Sequence, residues 1–171
     1  MRINKRTSVP YKRKRQGKTN YKKRLKLLMA KRPRLCVRIS LNSVKAQIIE
    51  YSPDGDKIIC AADSKTIQKL GSKLSPSNTS TAYLVGLMAA KLAQEKGVKR
   101  LILDIGFKKP VKGSKVYAAL KGAVDAGIEI PHSEEVLPTE DRINGKHIKG
   151  LPENHVNEIK NKILGAKDEK E

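Results

Sequence analysis

Arg34-Leu35-Cys36-Val37-Arg38-Ile39-Ser40 decides how this chain is read. Leu35, Val37 and Ile39 alternate with Arg34, Cys36 and Arg38, the period of two that marks a half-buried strand. A short Asn42-Ser43 turn leads into Val44–Tyr51. Ser52-Pro53-Asp54-Gly55-Asp56 is a second turn, because proline presets φ and glycine accepts positive φ. Lys57–Asp63 follows as a third strand, so the segment reads as an antiparallel meander.

Beyond the meander the period lengthens. A helical turn is expected around Ile67–Leu70. Ala82, Val85, Met88, Ala89 and Leu92 then share one helical face, with N-cap candidates in Ser77–Thr81 and a C-terminal glycine at Gly97. Leu101–Ile105 is a short apolar run suited to a strand covered on both faces. A basic loop occupies residues 106–113. Ser114 can cap a helix that turns Val116, Tyr117, Leu120 and Val124 inward and ends at Gly127. Ile128–Ile130 reads as a last strand, stopped by Pro131. The order β-β-β-α-β-α-β implies an α/β fold with a mixed five-stranded sheet and packed helices, and it resembles the ribonuclease-H-like topology. Residues 34–131 form the core domain. Residues 132–171 form a C-terminal extension with one helix near 153–164, whose Leu/Ile stripe suits a protein partner.

The segment before the meander has a different chemistry. Fifteen Lys and Arg fall between Arg2 and Arg34, and no Asp or Glu precedes Glu50. Residues 1–34 therefore carry +15 of the net +20, residues 35–131 carry +7 and residues 132–171 carry −2. A stretch so charged repels itself and has little apolar surface to bury. Residues 1–33 read as a basic arm, extended to about residue 20, with a helix at 21–32 that Pro33 stops. Leu25, Leu28 and Met29 give that helix an apolar stripe and a basic back. A phosphate backbone is the fitting partner, because each Lys or Arg placed on a phosphate releases condensed counterions. Gly17-Lys18-Thr19 looks like the end of a P-loop, but Lys12 stands where the earlier glycine belongs and no strand precedes it. Contact with RNA phosphate is the reading kept for it.

Enzymatic readings find little support. Two-metal catalysis needs converging carboxylates, and the first strand has none. Asp104 is the one acid near the fourth strand's end, and is read as a partner for a nearby base or as a loop cap. His132, His147 and His155 lack neighbouring cysteines and zinc spacing. Glu134-Glu135 reads as a solvated loop, and Cys36 and Cys60 as buried thiols. No catalytic group, metal, cofactor or small-molecule substrate is expected. The absence of a long apolar run or a signal-peptide pattern points to a soluble, cytoplasmic chain without a membrane role. The Asn78-Thr79-Ser80 sequon would stay unmodified there. A chromatin-type DNA-binding protein and an RNA-processing enzyme are the rival classes.

Several blocks, in order, carry a resemblance. They are Tyr11-Lys-Arg-Lys-Arg-Gln-Gly17-Lys-Thr-Asn-Tyr21-Lys-Lys-Arg24, Arg32-Pro-Arg-Leu, Ala46-Gln47-Ile-Ile-Glu50-Tyr, Leu103-Asp-Ile-Gly106, Lys112-Gly-Ser114, Ala118-Ala-Leu-Lys-Gly-Ala-Val-Asp-Ala-Gly127 and Ile130-Pro-His-Ser-Glu-Glu-Val-Leu-Pro138. From about residue 8 to 150 the chain resembles the universal large-subunit ribosomal protein L-eighteen family in its archaeal form, counterpart of the eukaryotic large-subunit protein L-five. The resemblance implies a structural constituent of the large ribosomal subunit that binds 5S ribosomal RNA and helps attach it to the central protuberance. It also implies 23S ribosomal RNA and neighbouring large-subunit proteins as partners. RNA contacts implied in the arm are Tyr11, Lys12, Arg13, Lys14, Arg15, Gly17, Lys18, Thr19, Asn20, Tyr21, Lys22, Lys23, Arg24, Lys26 and Arg34. Those implied in the first turn are Ser40, Asn42 and Ser43, and in the loop before the second core helix Lys108, Lys109, Lys112, Gly113, Ser114 and Lys115. The first turn departs from the family in carrying no charge. Tyr11 and Tyr21 either stack on an exposed base or pack on the protein's own surface.

Overall fold

A computed structural model describes residues 9–148, 150–152 and 154–165. The first eight residues of the arm, and the expected helix start at 153, lie outside the described residues. In chain order the elements are α1 (Lys12–Arg15), α2 (Tyr21–Leu28), β1 (Arg34–Ile39), β2 (Val44–Glu50), β3 (Lys57–Asp63), α3 (Ser64–Lys69), α4 (Thr79–Glu95), β4 (Ile102–Asp104), α5 (Lys115–Asp125), α6 (Glu140–Asn144) and α7 (His155–Gly165). Among the described residues four strands form one sheet in the order β3-β2-β1-β4. The first three are antiparallel, and β4 lies parallel to β1.

The fifth strand expected at Ile128–Ile130 is a single parallel bridge instead. Glu129 N donates to Lys99 O at 3.1 Å and Leu101 N to Glu129 O at 3.0 Å. Gly127 at φ +93° turns the chain just before it, and Pro131 has no N–H with which to extend a ladder. Ile128 and Ile130 are nevertheless buried, so they fill the core as strand residues would.

One face of the sheet is covered by helices. Leu35, Val37, Val44, Ala46 and Ile48 point into a core shared with α4 and α5. Asn78 caps α4, its Oδ1 accepting from Thr81 N at 2.7 Å. α4 is buried on nearly every side, because α5, α6 and α7 pack around the part that the sheet leaves open. The stripe on the C-terminal helix (Val156, Ile159, Ile163) is covered by α4 of the same chain rather than left for a partner. Lys91 Nζ donates to Leu164 O at 2.9 Å and ties down the C-terminus of α7.

α4 and α5 approach through glycine. A Cβ on Gly86 would lie 2.0 Å from Ala119 O, and one on Gly122 would lie 2.1 Å from Tyr83 O. Both obstacles are backbone, which cannot move aside without parting the helices. Ser114 takes the N-cap position of α5 as expected, but its hydroxyl makes no cap bond.

The other face of the sheet carries Arg34, Cys36, Arg38, Lys45 and Gln47, and α2 lies over part of it. The arm is less extended than its composition suggests. α1 is one helical turn, closed by Gly17 in the left-handed region at φ +63°. α2 ends at Leu28, short of Arg32, and Lys31 takes φ +50° ahead of Pro33. α2 has no buried residue, and Leu25 and Met29 of its apolar stripe are 63 % and 73 % exposed. Its inner side is Lys23, Arg24 and Leu27. What fastens it is charge. Arg24 grips Asp56 with two bonds of 2.8 Å, Arg34 Nη2 reaches the same carboxylate at 2.7 Å, and Arg34 Nη1 reaches Asp104 at 3.1 Å. Lys23 Nζ adds a bond to Gly106 O at 3.1 Å. Arg34, expected at a half-exposed strand position, is thereby only 3 % exposed.

Gly122→Ala gains up to about 1 kcal/mol of helix propensity but forces α4 and α5 apart. The net loss should be about 2 kcal/mol, lowering Tm by roughly 4–8 °C in thermal unfolding; an unchanged or raised Tm would refute the close approach. Arg24, then Arg34, hold the Asp56 carboxyl below its ordinary value by bonding its ionised form, against the opposing effect of partial burial. A lowered carboxylate pKa contributes stability above the unfolded value of about 4, and loses it as pH falls through the folded value. Acidification below about pH 4 should therefore release α2 before the α4–α5 layer opens. Hydrogen exchange at Lys23–Leu28 should rise at least tenfold, and Asp56→Asn should do the same at pH 7. Unchanged protection of those amides would show that Asp56 is not the fastening.

Candidate nucleic-acid interface

Between α2, the sheet and the loop after β4 lies a groove of about 890 Å³. The arm contributes Arg13, Lys18, Thr19, Asn20, Lys23 and Arg24. The sheet contributes Arg34, Arg38, Ser40, Ser43 and Lys45, and the loop contributes Gly106, Phe107 and Lys108. Eight basic side chains line it against two acidic ones, Asp56 and Asp104, so its field is positive even with both carboxylates ionised.

Each contributor has a local reason for its place. Asn20 caps α2 by accepting from Lys23 N at 3.1 Å. Arg13 Nε donates to Thr19 Oγ1 at 2.9 Å, and Lys18 N to Arg13 O at 2.9 Å, folding the Gly17-Lys18-Thr19 segment back on α1. The Ser40 and Ser43 hydroxyls lie 2.7 Å apart and close the first turn. Ser77 Oγ donates to Ser40 O at 3.0 Å and sits 3.5 Å from Lys115 Nζ, joining that turn to the start of α5. Asp104 organises the loop by accepting from Gly106 N at 2.8 Å, and it also lies 3.8 Å from the Arg38 guanidinium. It thus both pairs with bases and caps a loop. Cys36 donates to Asp104 at 3.4 Å, and burial, reinforced by that carboxylate, pushes its thiol up to about 12. It stays protonated and unreactive at neutral pH.

The sequence-derived contact residues do not all share this groove. Arg13, Lys18, Thr19, Asn20, Lys23, Arg24, Arg34, Ser40, Ser43 and Lys108 line it. Arg34 is a buried strut between two carboxylates rather than a surface group. Tyr11, Lys12, Lys14, Arg15, Gly17, Lys22, Lys26 and Asn42 are exposed outside the lining, and Tyr21 lies at the edge of exposure. Tyr11 and Tyr21 meet each other, ring centroids 5.2 Å apart and tilted by 51°, and Tyr11 remains 73 % exposed. Lys109, Lys112 and Gly113 stand farther along the loop, where Lys112 pairs with Glu135 at 2.9 Å and Gly113 N donates to Val136 O at 2.9 Å. The Ser114 hydroxyl is buried without a partner.

Arg38, Lys45 and Phe107 are among the lining residues that the expected contacts did not include. The first two were recoverable. The short Ser40–Ser43 turn fixes the register that sets Arg38 opposite Lys45, on the face that Leu35 and Val37 avoid. Phe107 had no periodic signal, since it lies in a loop.

A family model described as "Ribosomal large subunit proteins 60S L5, and 50S L18" matches residues 5–100 and 91–133. Among curated relatives, the large ribosomal subunit protein uL18 of Aeropyrum pernix is 51 % identical over 141 residues. That match takes in 82 % of this chain and 66 % of the relative, just under two thirds of the relative's length. With a family match over most of its length and a relative so similar, this chain belongs to the family of large-subunit ribosomal proteins that the model describes.

Proposed function

We propose that the chain is a structural, non-catalytic constituent of the large subunit of the cytoplasmic ribosome, and that its groove and arm bind 5S ribosomal RNA. The observation that carries this reading is convergence. Three segments far apart in sequence (the arm, the first turn with its strands, and the loop after β4) meet at one positively charged groove. The family supports the choice of ribosomal RNA over other polyanions. Exposed bases on the outer side of the arm, such as Lys12, Lys14, Arg15 and Lys22, would reach further phosphates, including those of 23S ribosomal RNA, while neighbouring subunit proteins complete the surroundings. Phosphate and sugar contacts would position the RNA, and shape and unpaired nucleotides would select it, because A-form helices hide their base edges in a deep, narrow groove.

The test is binding of the full chain to 5S ribosomal RNA over a salt series, with transfer RNA and duplex DNA as competitors. Selective binding with a steep salt dependence is expected. Lys18→Ala and Lys45→Ala should each weaken binding and reduce the slope of log K against log salt by about one. Equal competition by all three nucleic acids would make the groove a generic polyanion site and overturn the 5S assignment.

A further inference from the structure

The groove holds one aromatic ring that the charge argument does not use. Phe107, the chain's single phenylalanine, is 58 % exposed and lines the groove beside Lys108. An apolar ring so placed gains little from folding, yet the residues on either side of it are tied down by hydrogen bonds. Lys108 N donates to Ile105 O at 3.2 Å, closing a four-residue turn with Gly106 and Phe107 at its centre. Gly106 takes φ +60°. Its N–H is bonded to Asp104 and its carbonyl to Lys23. The Arg38 guanidinium lies so close that a Cβ on Gly106 would meet it at 3.1 Å. The relay that docks α2 therefore also bonds the turn that displays the ring.

We infer that Phe107 is a stacking platform for one unpaired base of the bound RNA, held within a cradle of cations that receives the flanking phosphates. This rests on the groove being the RNA site proposed above. An exposed aromatic ring on a hydrogen-bonded turn beside Lys108 and Arg38 has the two components of a single-strand subsite, a π-face for the base and charge for the backbone. The two arm tyrosines lie outside the groove lining, where their rings meet each other. The subsite recognises an extruded nucleotide and offers nothing specific to a continuous duplex, whose bases are already stacked.

The chain contains no tryptophan, so Phe107→Trp introduces a single indole reporter at this point. Titrating that full-length variant with 5S ribosomal RNA should quench its emission as the complex forms. Phe107→Ala and Phe107→Leu should both bind about 5- to 150-fold more weakly. Their salt slope should be unchanged, because the ring neutralises no phosphate. A complex that forms with the indole emission unaltered overturns the inference. So does full affinity in Phe107→Leu, which would mean that any apolar side chain suffices. If wild-type protein forms no complex with 5S ribosomal RNA, the groove assignment itself fails, an outcome distinct from a complex that forms without the ring.

Discussion

Asp56 holds two guanidinium groups at once, and the candidate interface depends on it. The arm is a run of like charge facing a sheet surface that itself carries Arg38 and Lys45. Two unit charges about 4 Å apart interact with roughly 4 kcal/mol near a protein surface, so α2 would be driven off unless carboxylates stood between. Apolar burial cannot replace them, since α2 has no buried residue and turns Leu25 and Met29 outward. Asp56 takes Arg24 and Arg34, and Asp104 takes Arg34 from the other side with Arg38 nearby. Removing one member of such a set leaves a buried charge uncompensated, which costs about 3–5 kcal/mol even where the intact set contributes little net stability. The relay therefore fixes where the arm sits more than how stable the fold is.

That division sets which charges remain for a ligand. Asp56 and Asp104 are engaged by guanidinium groups at the base of the groove, while Lys18, Lys45 and Lys108 take part in no ion pair among the described residues. At physiological ionic strength the screening length is about 8 Å, so lysines facing one another across a groove still sum their fields on a phosphate inside it. Because α2 and the turn at Gly106 are already held, ordering this cradle on binding sacrifices less conformational freedom than ordering a free arm would.

Period-two and period-3.6 patterns revealed the meander, α4 and α5, because in each of them one face packs on the core and the side-chain spacing records it. The same signal misled where burial and backbone pairing part company. Ile128 and Ile130 alternate like strand residues because they are buried, but alternation reports the environment of side chains and not the presence of a ladder. In α2 the apolar stripe leaves Leu25 and Met29 exposed, whereas the docked face is Lys23, Arg24 and Leu27. Periodicity assumes that burial is apolar, and here ion pairs chose the face. Val156, Ile159 and Ile163 were legible as a stripe, but nothing local could say that α4 was the surface they meet. Within the groove, the bases of the arm were visible as composition. Asp104 was legible as a partner for a base or a loop cap, but Asp56 as an organiser, and Phe107 as a displayed ring, emerge only when segments up to 83 residues apart come together, as Lys23 and Gly106 do.

β1 is where the two halves of the structure meet. Its Leu35 and Val37 enter the apolar core under α4 and α5, and its Arg34 and Cys36 are buried on the opposite side beneath the carboxylate relay. A strand buried on both faces cannot slip by one residue without placing Arg34 in the core and Leu35 among the carboxylates. The register that seats the hydrophobic core is consequently the register that aims Arg34 between Asp56 and Asp104, and through them sets the position of α2. The basic arm needs no apolar anchor of its own, because the core specifies its docking point through the alternation of a single strand.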